Sequence, residues 1–253
     1  MPSSFSPTGR AHLLGNRSNA SSEIEMDEAW AQRVGEAGRG VRMVMQMLTP
    51  QRLENIVWST APMRQAVSQA IWHGDHRSAF GARLVDQPVM TPVLADLALE
   101  AEAGTAVAMR PAAALDRSGY GTADAERDSH DALVARPGIA VAKYWVCKRT
   151  PAHIVEALGC DGGIGFVEES IMPRLYRDVP LHTIWEGSGN VLVLDVLRAM
   201  KKPPPASTRS SPSLISPPAR TDTPRHRGGP AAPSSPTPAR WSPAHENWSR
   251  RWR

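Results

Sequence analysis

Only two cysteines, Cys147 and Cys160, occur in 253 residues, and one pair is no disulfide framework. Reduced thiols in a cytoplasmic protein are the expectation, with Cys147 a core thiol inside an apolar helical run. No stretch of 18 apolar residues is present, so no helical membrane span is expected. No basic-then-apolar leader opens the chain, so no secretory signal is evident. The sequence also lacks a Walker loop, a G-x-S-x-G turn and an H-E-x-x-H pair. His73, His76, His130, His153 and His182 have no metal-like spacing to carboxylates and read as surface or turn residues. No internal repeat is visible. These absences leave an intracellular globular protein without a metal site of its own.

Acidic residues are scarce in one region only. Residues 1–200 carry 19 Lys+Arg and 23 Asp+Glu, a balance of −4, whereas residues 201–253 carry ten basic and two acidic residues, a balance of +8. The overall +4 therefore describes the tail and says nothing of nucleic-acid binding by the body. Twelve of the 23 prolines also lie in the tail, beside many serines. Such a segment cannot bury a core, and disorder is the expectation from Lys201 onward.

Within the body, residues 1–13 are polar and without periodicity. The alternation Glu23-Ile24-Glu25-Met26 predicts a short strand. From Val41 the pattern becomes helical. Met63, Ala66, Val67, Ala70 and Ile71 share one face of a helix that Gly74 and the Phe80-Gly81 turn close. Met90, Leu94, Leu97 and Ala101 mark a second helix. Residues 117–130 read as a loop, Ile139 to Leu158 as a third helix, and Val191 to Met200 as a fourth. The expected fold is mainly α: an antiparallel four-helix bundle with a short β segment before it and a disordered tail after it. The corresponding divisions are residues 1–40, 41–200 and 201–253.

What is present in strength is the run Trp185-Glu186-Gly187-Ser188-Gly189-Asn190. A carboxylate stands between an aromatic residue and two glycines, and an apolar segment follows. The glycines allow a tight turn and close approach to a ligand. Ser188 suits an N-cap, and the helix start behind it suits an electron-rich group. The setting suits Glu186 to general-base work; an exposed loop Glu before an ordinary helix remains the alternative from physics alone.

Residues 185–190 resemble the base-carrying segment of the acyl-CoA dehydrogenases, an aromatic-Glu-Gly-Thr/Ser run. Three further stretches agree in order and spacing. His76-Arg77-Ser78-Ala79-Phe80-Gly81 resembles the family's Arg-x-x-Phe-Gly turn. Gly162-Gly163-Ile164-Gly165-Phe166 resembles its Gly-Gly-x-Gly-aromatic turn, and Pro173 to Asp178 the segment leading to the base. The wording Gly15-Asn16-Arg17-Ser18-Asn19-Ala20-Ser21 and Glu168-Glu169-Ser170 is similar to the AidB-like, alkylation-response branch. The likeness covers roughly residues 14–200.

The resemblance implies a helical C-terminal domain, FAD as cofactor, an acyl-CoA substrate and a homo-oligomer. It makes Glu186 the base that removes the acyl α-proton while a hydride passes from the β-carbon to the flavin. It assigns Arg77 to the flavin pyrophosphate across a subunit boundary, where guanidinium binds phosphate well; a solvated arginine ending a helix is the alternative. Phe80 packs at the flavin edge or staples its turn. Gln87 touches the flavin or merely starts a helix. Gly162 and Gly163 admit the cofactor or form a plain connecting turn. Gly187, Ser188, Gly189 and Asn190 contact the flavin around the base.

The chain also departs from the family. Its N-terminal helical domain, nearly all of its middle β-domain and the further domain of the AidB-like branch have no counterpart here. Gly159 stands where many members have Gln. Asp161 replaces an apolar residue before Gly162, a costly change if buried. The switch near Lys201 and Lys202 resembles a frameshifted or mis-spliced end, and impaired activity is the expectation. Two other readings stand beside a flavin-dependent dehydrogenase. One is a non-catalytic bundle that keeps the subunit contacts. The other is a nucleic-acid binder that uses the tail arginines with Trp241, Trp248 and Trp252.

Overall fold

The computed structural model describes residues 4–10, 13–19, 21–120 and 130–201. Among these are five α-helices: α1 (Gly40–His76), α2 (Met90–Arg117), α3 (His130–Asp161), α4 (Met172–His182) and α5 (Gly189–Lys201). The expected loop at 117–130 is a turn through Tyr120, then residues 121–129, which lie outside the description. Residues 202–253, where disorder is expected and the tail tryptophans fall, also lie outside the described residues.

Two β-hairpins and two short 3-10 helices, Leu84–Asp86 and Gly162–Phe166, complete the described elements. Strands β1 (Ser4–Arg10) and β2 (Ser22–Asp27) pair antiparallel, with Ser4 opposite Asp27 and an irregularity between Pro7 and Gly9. β2 contains the predicted Glu23–Met26 strand. β1 corrects the reading of residues 1–13 as patternless: ladder hydrogen bonds come from the backbone and need no side-chain alternation. Strands β3 (Ser78–Ala79) and β4 (Ala82–Arg83) flank the Phe80-Gly81 turn between α1 and α2.

Cross-helix contacts set the directions. α2 runs antiparallel to α1: Tyr120 Oη donates to the Gln46 carbonyl at one end, and Gly74 faces Leu94 and Val85 at the other. Midway, a Cβ on Gly104 would meet Thr60 Cγ2 at 3.3 Å, so the small residue sets how closely these helices pack. α3 runs parallel to α1, with Cys147 against Asn55 and Ser59, and Thr150 against Ser59. α5 returns antiparallel to α3, from Tyr144 beside Gly189 to Arg136 beside Asp195. α4 descends from the end of α3 to Ser59, which His182 meets at 3.1 Å. α4 and α5 thus share the place of a fourth rod, and the Trp185–Ser188 loop is the break in it.

The expected four helices are therefore five. The segment Pro173–Asp178, read only as a lead to the base, is helical in α4. Its prolines concealed this. Pro173 sits in the first helical turn, where no intrahelical N–H is needed, and Pro180 lies in the last. α3 likewise starts nine residues before Ile139, because Pro137-Gly138 reads as a boundary but lies inside the helix.

The core is built where the stripes meet. Ile56, Met63, Ala66, Val67 and Ala70 of α1 pack with Leu94 and Leu97 of α2 and Ile139, Val146 and Ile154 of α3. Truncating a residue such as Ile154 to Ala typically costs about 2–5 kcal/mol. Ile71, placed on that stripe by spacing, is 40% exposed. The buried stripe advances from Ala70 to Gly74, leaving Ile71 at its edge.

Candidate functional site

Glu186 lies in the break between α4 and α5, half-buried, with a left-handed backbone at φ 55°. For a residue other than glycine this conformation costs on the order of 1–3 kcal/mol and persists only where neighbours impose it. Gly187 follows at φ 104°, and a Cβ there would meet Val191 Cγ1 at 3.2 Å, so glycine is required twice over. At Gly189 a Cβ would fall 2.9 Å from the Tyr144 ring. Ser188 is exposed directly before α5, and its carbonyl accepts the Leu192 N–H at 3.1 Å. Asn190 is exposed in the first turn.

The backbone of this loop is held by two buried cations that sequence reasoning missed. Lys143, wholly buried on α3, donates from Nζ to the carbonyls of Trp185 and Gly187, the latter at 2.8 Å. Arg52 of α1 donates from Nε to the Glu186 carbonyl at 3.0 Å. Its guanidinium also binds Asp195 of α5 at 2.6 Å, a buried pair that Arg136 joins at 3.2 Å. Burial holds the Lys143 ammonium below the usual lysine value. Burial pushes the Asp195 carboxyl up, but hydrogen bonds from Arg52 and Arg136 outweigh it and hold the group below the usual carboxylate range. The sequence signal was slight: a Lys and an Arg in otherwise helical runs.

Aromatic and polar groups back the loop. Trp185 meets Trp58 edge-on at 6.3 Å between centroids, and the His182 ring lies 6.4 Å from Trp58. Ser59, fully buried, donates to Cys147 Sγ at 3.2 Å. Burial raises the Cys147 thiol pKa, in keeping with a core thiol. Two histidines correct the surface-or-turn reading. His153 is 2% exposed, its Nε2 donating to the Leu97 carbonyl at 2.9 Å, and His182 is half-buried against Ser59. Burial lowers the pKa of both. Among the described residues no three His, Cys, Asp or Glu side chains form a metal-binding group.

The other candidates lie at the far end of the bundle. Arg77 ends α1, 25 positions after Arg52, so the two are roughly 35–40 Å apart along the helix. Its side chain is exposed and makes no ion pair among the described residues, whereas nearby Arg83 is bound to Asp75 at 2.6 Å and Asp86 at 2.8 Å. Phe80 and Gly81 both have positive φ, 53° and 85°. Phe80 is 98% exposed, so it does not staple its own turn. Gln87 donates from Nε2 to the Ala79 carbonyl at 3.0 Å and so ties the hairpin to the start of α2. Gly162, at φ 63°, and Gly163 are exposed after the C-terminus of α3, and nothing lies within 4 Å of a Cβ on either. They sit roughly 27 Å along α3 from Lys143. Asp161 beside them is buried and its Oδ1 finds no partner among the described residues; burial pushes its pKa up to about 6.

The segment before α1 also touches this region. Gly15 is buried so closely on α4 that a Cβ would meet the Arg177 carbonyl at 2.3 Å, and the Asn16 N–H donates to Asp178 Oδ1 at 2.5 Å. The Gly15–Asn16 motif is thus packed against the helix that leads to Glu186.

The family model "Acyl-CoA dehydrogenase, C-terminal domain" matches residues 38–201. AidB of Escherichia coli (strain K12) is 44% identical over 189 residues, covering 75% of this chain and 34% of AidB. Caenorhabditis elegans ACDH-11 in complex with C11-CoA superposes with a TM-score of 0.71 at 29% identity, over 79% of this chain and 33% of that one. An acyl-CoA dehydrogenase complexed with FAD from Bacillus anthracis shares the fold, with a TM-score of 0.69 at 18% identity over 78% of this chain and 35% of that one. The chain spans about a third of the length of these relatives. No helix among the described residues is long and apolar enough to cross a membrane.

Proposed function

Because the chain belongs to the acyl-CoA dehydrogenase family, we propose that its bundle forms the base-carrying part of a flavin-dependent acyl-CoA dehydrogenase. Glu186 is the general base. The observation that carries this reading is the placement of Glu186: a half-buried carboxylate at the break between α4 and α5, on a left-handed backbone that buried cations hold. A base acts through a fixed geometry relative to the proton it takes, and positioned proton transfer contributes about 10²–10⁴-fold in rate. The proton from the acyl α-carbon ends on the Glu186 carboxylate.

The exposed groups fit a flavin nucleotide. Arg77 offers an exposed guanidinium, without an ion pair among the described residues, for the pyrophosphate. Gly162 and Gly163 offer bare backbone and Phe80 an exposed ring; Gln87, half-buried with its Nε2 on the Ala79 carbonyl, forms the polar edge of the same turn. Gly187, Ser188, Gly189 and Asn190 form the loop around the base. Bound FAD supplies the hydride acceptor at the substrate β-carbon. Arg77 and Glu186 are too far apart to serve one flavin nucleotide from one chain, so Arg77 serves the flavin pyrophosphate of a neighbouring subunit in a homo-oligomer. The β1–β2 hairpin is the end of the middle β-domain. The substrate class is acyl-CoA, the ligand class named for ACDH-11.

The test is a graft of residues 14–201 in place of the matching part of AidB. With FAD bound, it should exchange acyl-CoA α-protons with deuterated solvent. Glu186→Gln keeps the shape, should retain the yellow cofactor and should lose exchange by at least about a hundredfold. Undiminished exchange in that variant would assign the base elsewhere.

A further inference from the structure

The three carbonyls of Trp185, Glu186 and Gly187 are consecutive, and all three converge on two side chains from other helices. A backbone turn of this kind presents three negative dipole ends to one side. Lys143 reaches it from α3 and Arg52 from α1. Arg52 has its charge compensated by Asp195 at 2.6 Å. Lys143 has no carboxylate in hydrogen-bonding contact among the described residues, although it is wholly buried; its polar partners are the two loop carbonyls.

An ammonium is an expensive way to fill a helix interface. A methionine has a similar length and carries no desolvation penalty. A buried charge without a carboxylate partner therefore has to be explained by what it holds. What it holds is the backbone on either side of Glu186, the one residue of the loop that is both left-handed and acidic. Released from that grip, Glu186 has no steric reason to stay at φ 55°, since side-chain residues favour negative φ. A change of sign in φ would swing the carboxylate to another face of the loop. The Lys143 and Glu186 charges also attract each other, which favours the same arrangement.

We propose that Lys143, assisted by Arg52, is a positioning residue that fixes the backbone of the Trp185–Gly187 turn and so aims the Glu186 carboxylate. The catalytic importance of that aim rests on the reading of Glu186 as base; the holding of the turn does not. Both cations act through the backbone of the turn. Their contribution is to set, before any ligand arrives, a conformation that the loop would otherwise abandon.

The test begins with the 253-residue chain and Lys143→Met, which keeps length and removes charge. Amide hydrogen exchange is followed at residues 184–190 and, as reference, in the Ile56–Ala70 stretch of α1. Exchange in the loop should accelerate at least tenfold, with the α1 reference unchanged. No acceleration, or equal acceleration in both places, overturns the proposal. Should Lys143→Met fail to fold, the unaltered chain decides. Its Lys143 ammonium should give a slowly exchanging nitrogen resonance coupled to the carbonyl carbons of Trp185 and Gly187, and an absent coupling overturns the proposal. In the AidB graft, Lys143→Met should lower kcat at least tenfold while leaving KM within about twofold, and should cause no further loss when added to Glu186→Gln. A raised KM with intact kcat contradicts positioning of the base. If Glu186→Gln alone keeps full exchange, the base assignment fails, while the loop measurements still decide the role of Lys143.

Discussion

Around Glu186 the chain supplies its own constraints: Lys143 and Arg52 bind three successive carbonyls, Asp195 neutralises Arg52, and Gly187 and Gly189 leave no room for a side chain. At the other end of the bundle the pattern reverses. Arg77 is exposed and unpaired among the described residues, Phe80 points outward, and the space over Gly162 and Gly163 is open. The first region is organised by the fold itself. The second presents chemistry that the same fold leaves unused, as a surface completed by a cofactor or a neighbouring subunit does. Under the proposed function, proton transfer falls at the closed region and cofactor binding at the open one.

The largest effect should come from breaking the closed region. Arg52→Met leaves Asp195 buried with only the mostly exposed Arg136, and releases the Glu186 carbonyl. Removing one partner of a buried pair costs about 3–5 kcal/mol. Arg77→Met should change stability by no more than about 0.5 kcal/mol. Urea denaturation of the two variants measures the contrast, and similar losses would erase it. The pH profile sharpens it further. Asp195 is held below its unfolded value, so its pairing stabilises the fold above about pH 4 and is lost as pH falls through the folded value. In Arg52→Met the acid limb of the stability curve should flatten.

Asp161 is the exception at the open end, a buried carboxyl with one oxygen unpartnered among the described residues. Its folded pKa of about 6 lies above the ordinary 3.8. The sign follows from linkage: the neutral form fits the fold, so stability is fully present below about pH 4 and falls as pH rises through about 6. The shift corresponds to a penalty of at most about 3 kcal/mol at pH 7. Asp161→Asn should therefore be more stable than the parent at pH 7, and the two should converge toward pH 4. Thermal melts across that range test it; a difference independent of pH would refute it.

The smallest expected effect separates two adjacent glycines. Gly162→Ala places a side chain at φ 63° and should cost about 1–2 kcal/mol, although nothing crowds it. Gly163→Ala has neither strain nor contact and should be neutral within about 0.5 kcal/mol. Equal costs in chemical denaturation would show that the left-handed backbone at Gly162 carries no penalty of its own.

Much of this was legible in the residues. Apolar spacing located the helices around Met63–Ala70, Leu94–Ala101 and Ile139–Leu158, because a 3.6-residue period survives in any helix that buries one face. Boundaries were less legible where prolines intervened: Pro137 hid the first turns of α3, and Pro173 and Pro180 hid α4. The histidines were misplaced for a related reason. Type and spacing cannot distinguish a solvated ring from His153, which a single carbonyl on α2 receives into the core.

Local composition names the candidates: a carboxylate flanked by glycines at 185–190, a Gly-Gly turn at 162–163, and an arginine before Phe80-Gly81. Those features are local, and a tight turn or a left-handed residue imposes its composition on its own neighbours. Which side chains stand beside them follows from helix packing alone. Lys143 and Arg52 lie 43 and 134 positions from Glu186, and they reach its loop because α1 and α3 run parallel beside the broken fourth rod. Arg77, on the same helix as Arg52, is carried away by the helical rise of about 1.5 Å per residue. Partnerships of this kind are set by how helices pack, which no local pattern encodes.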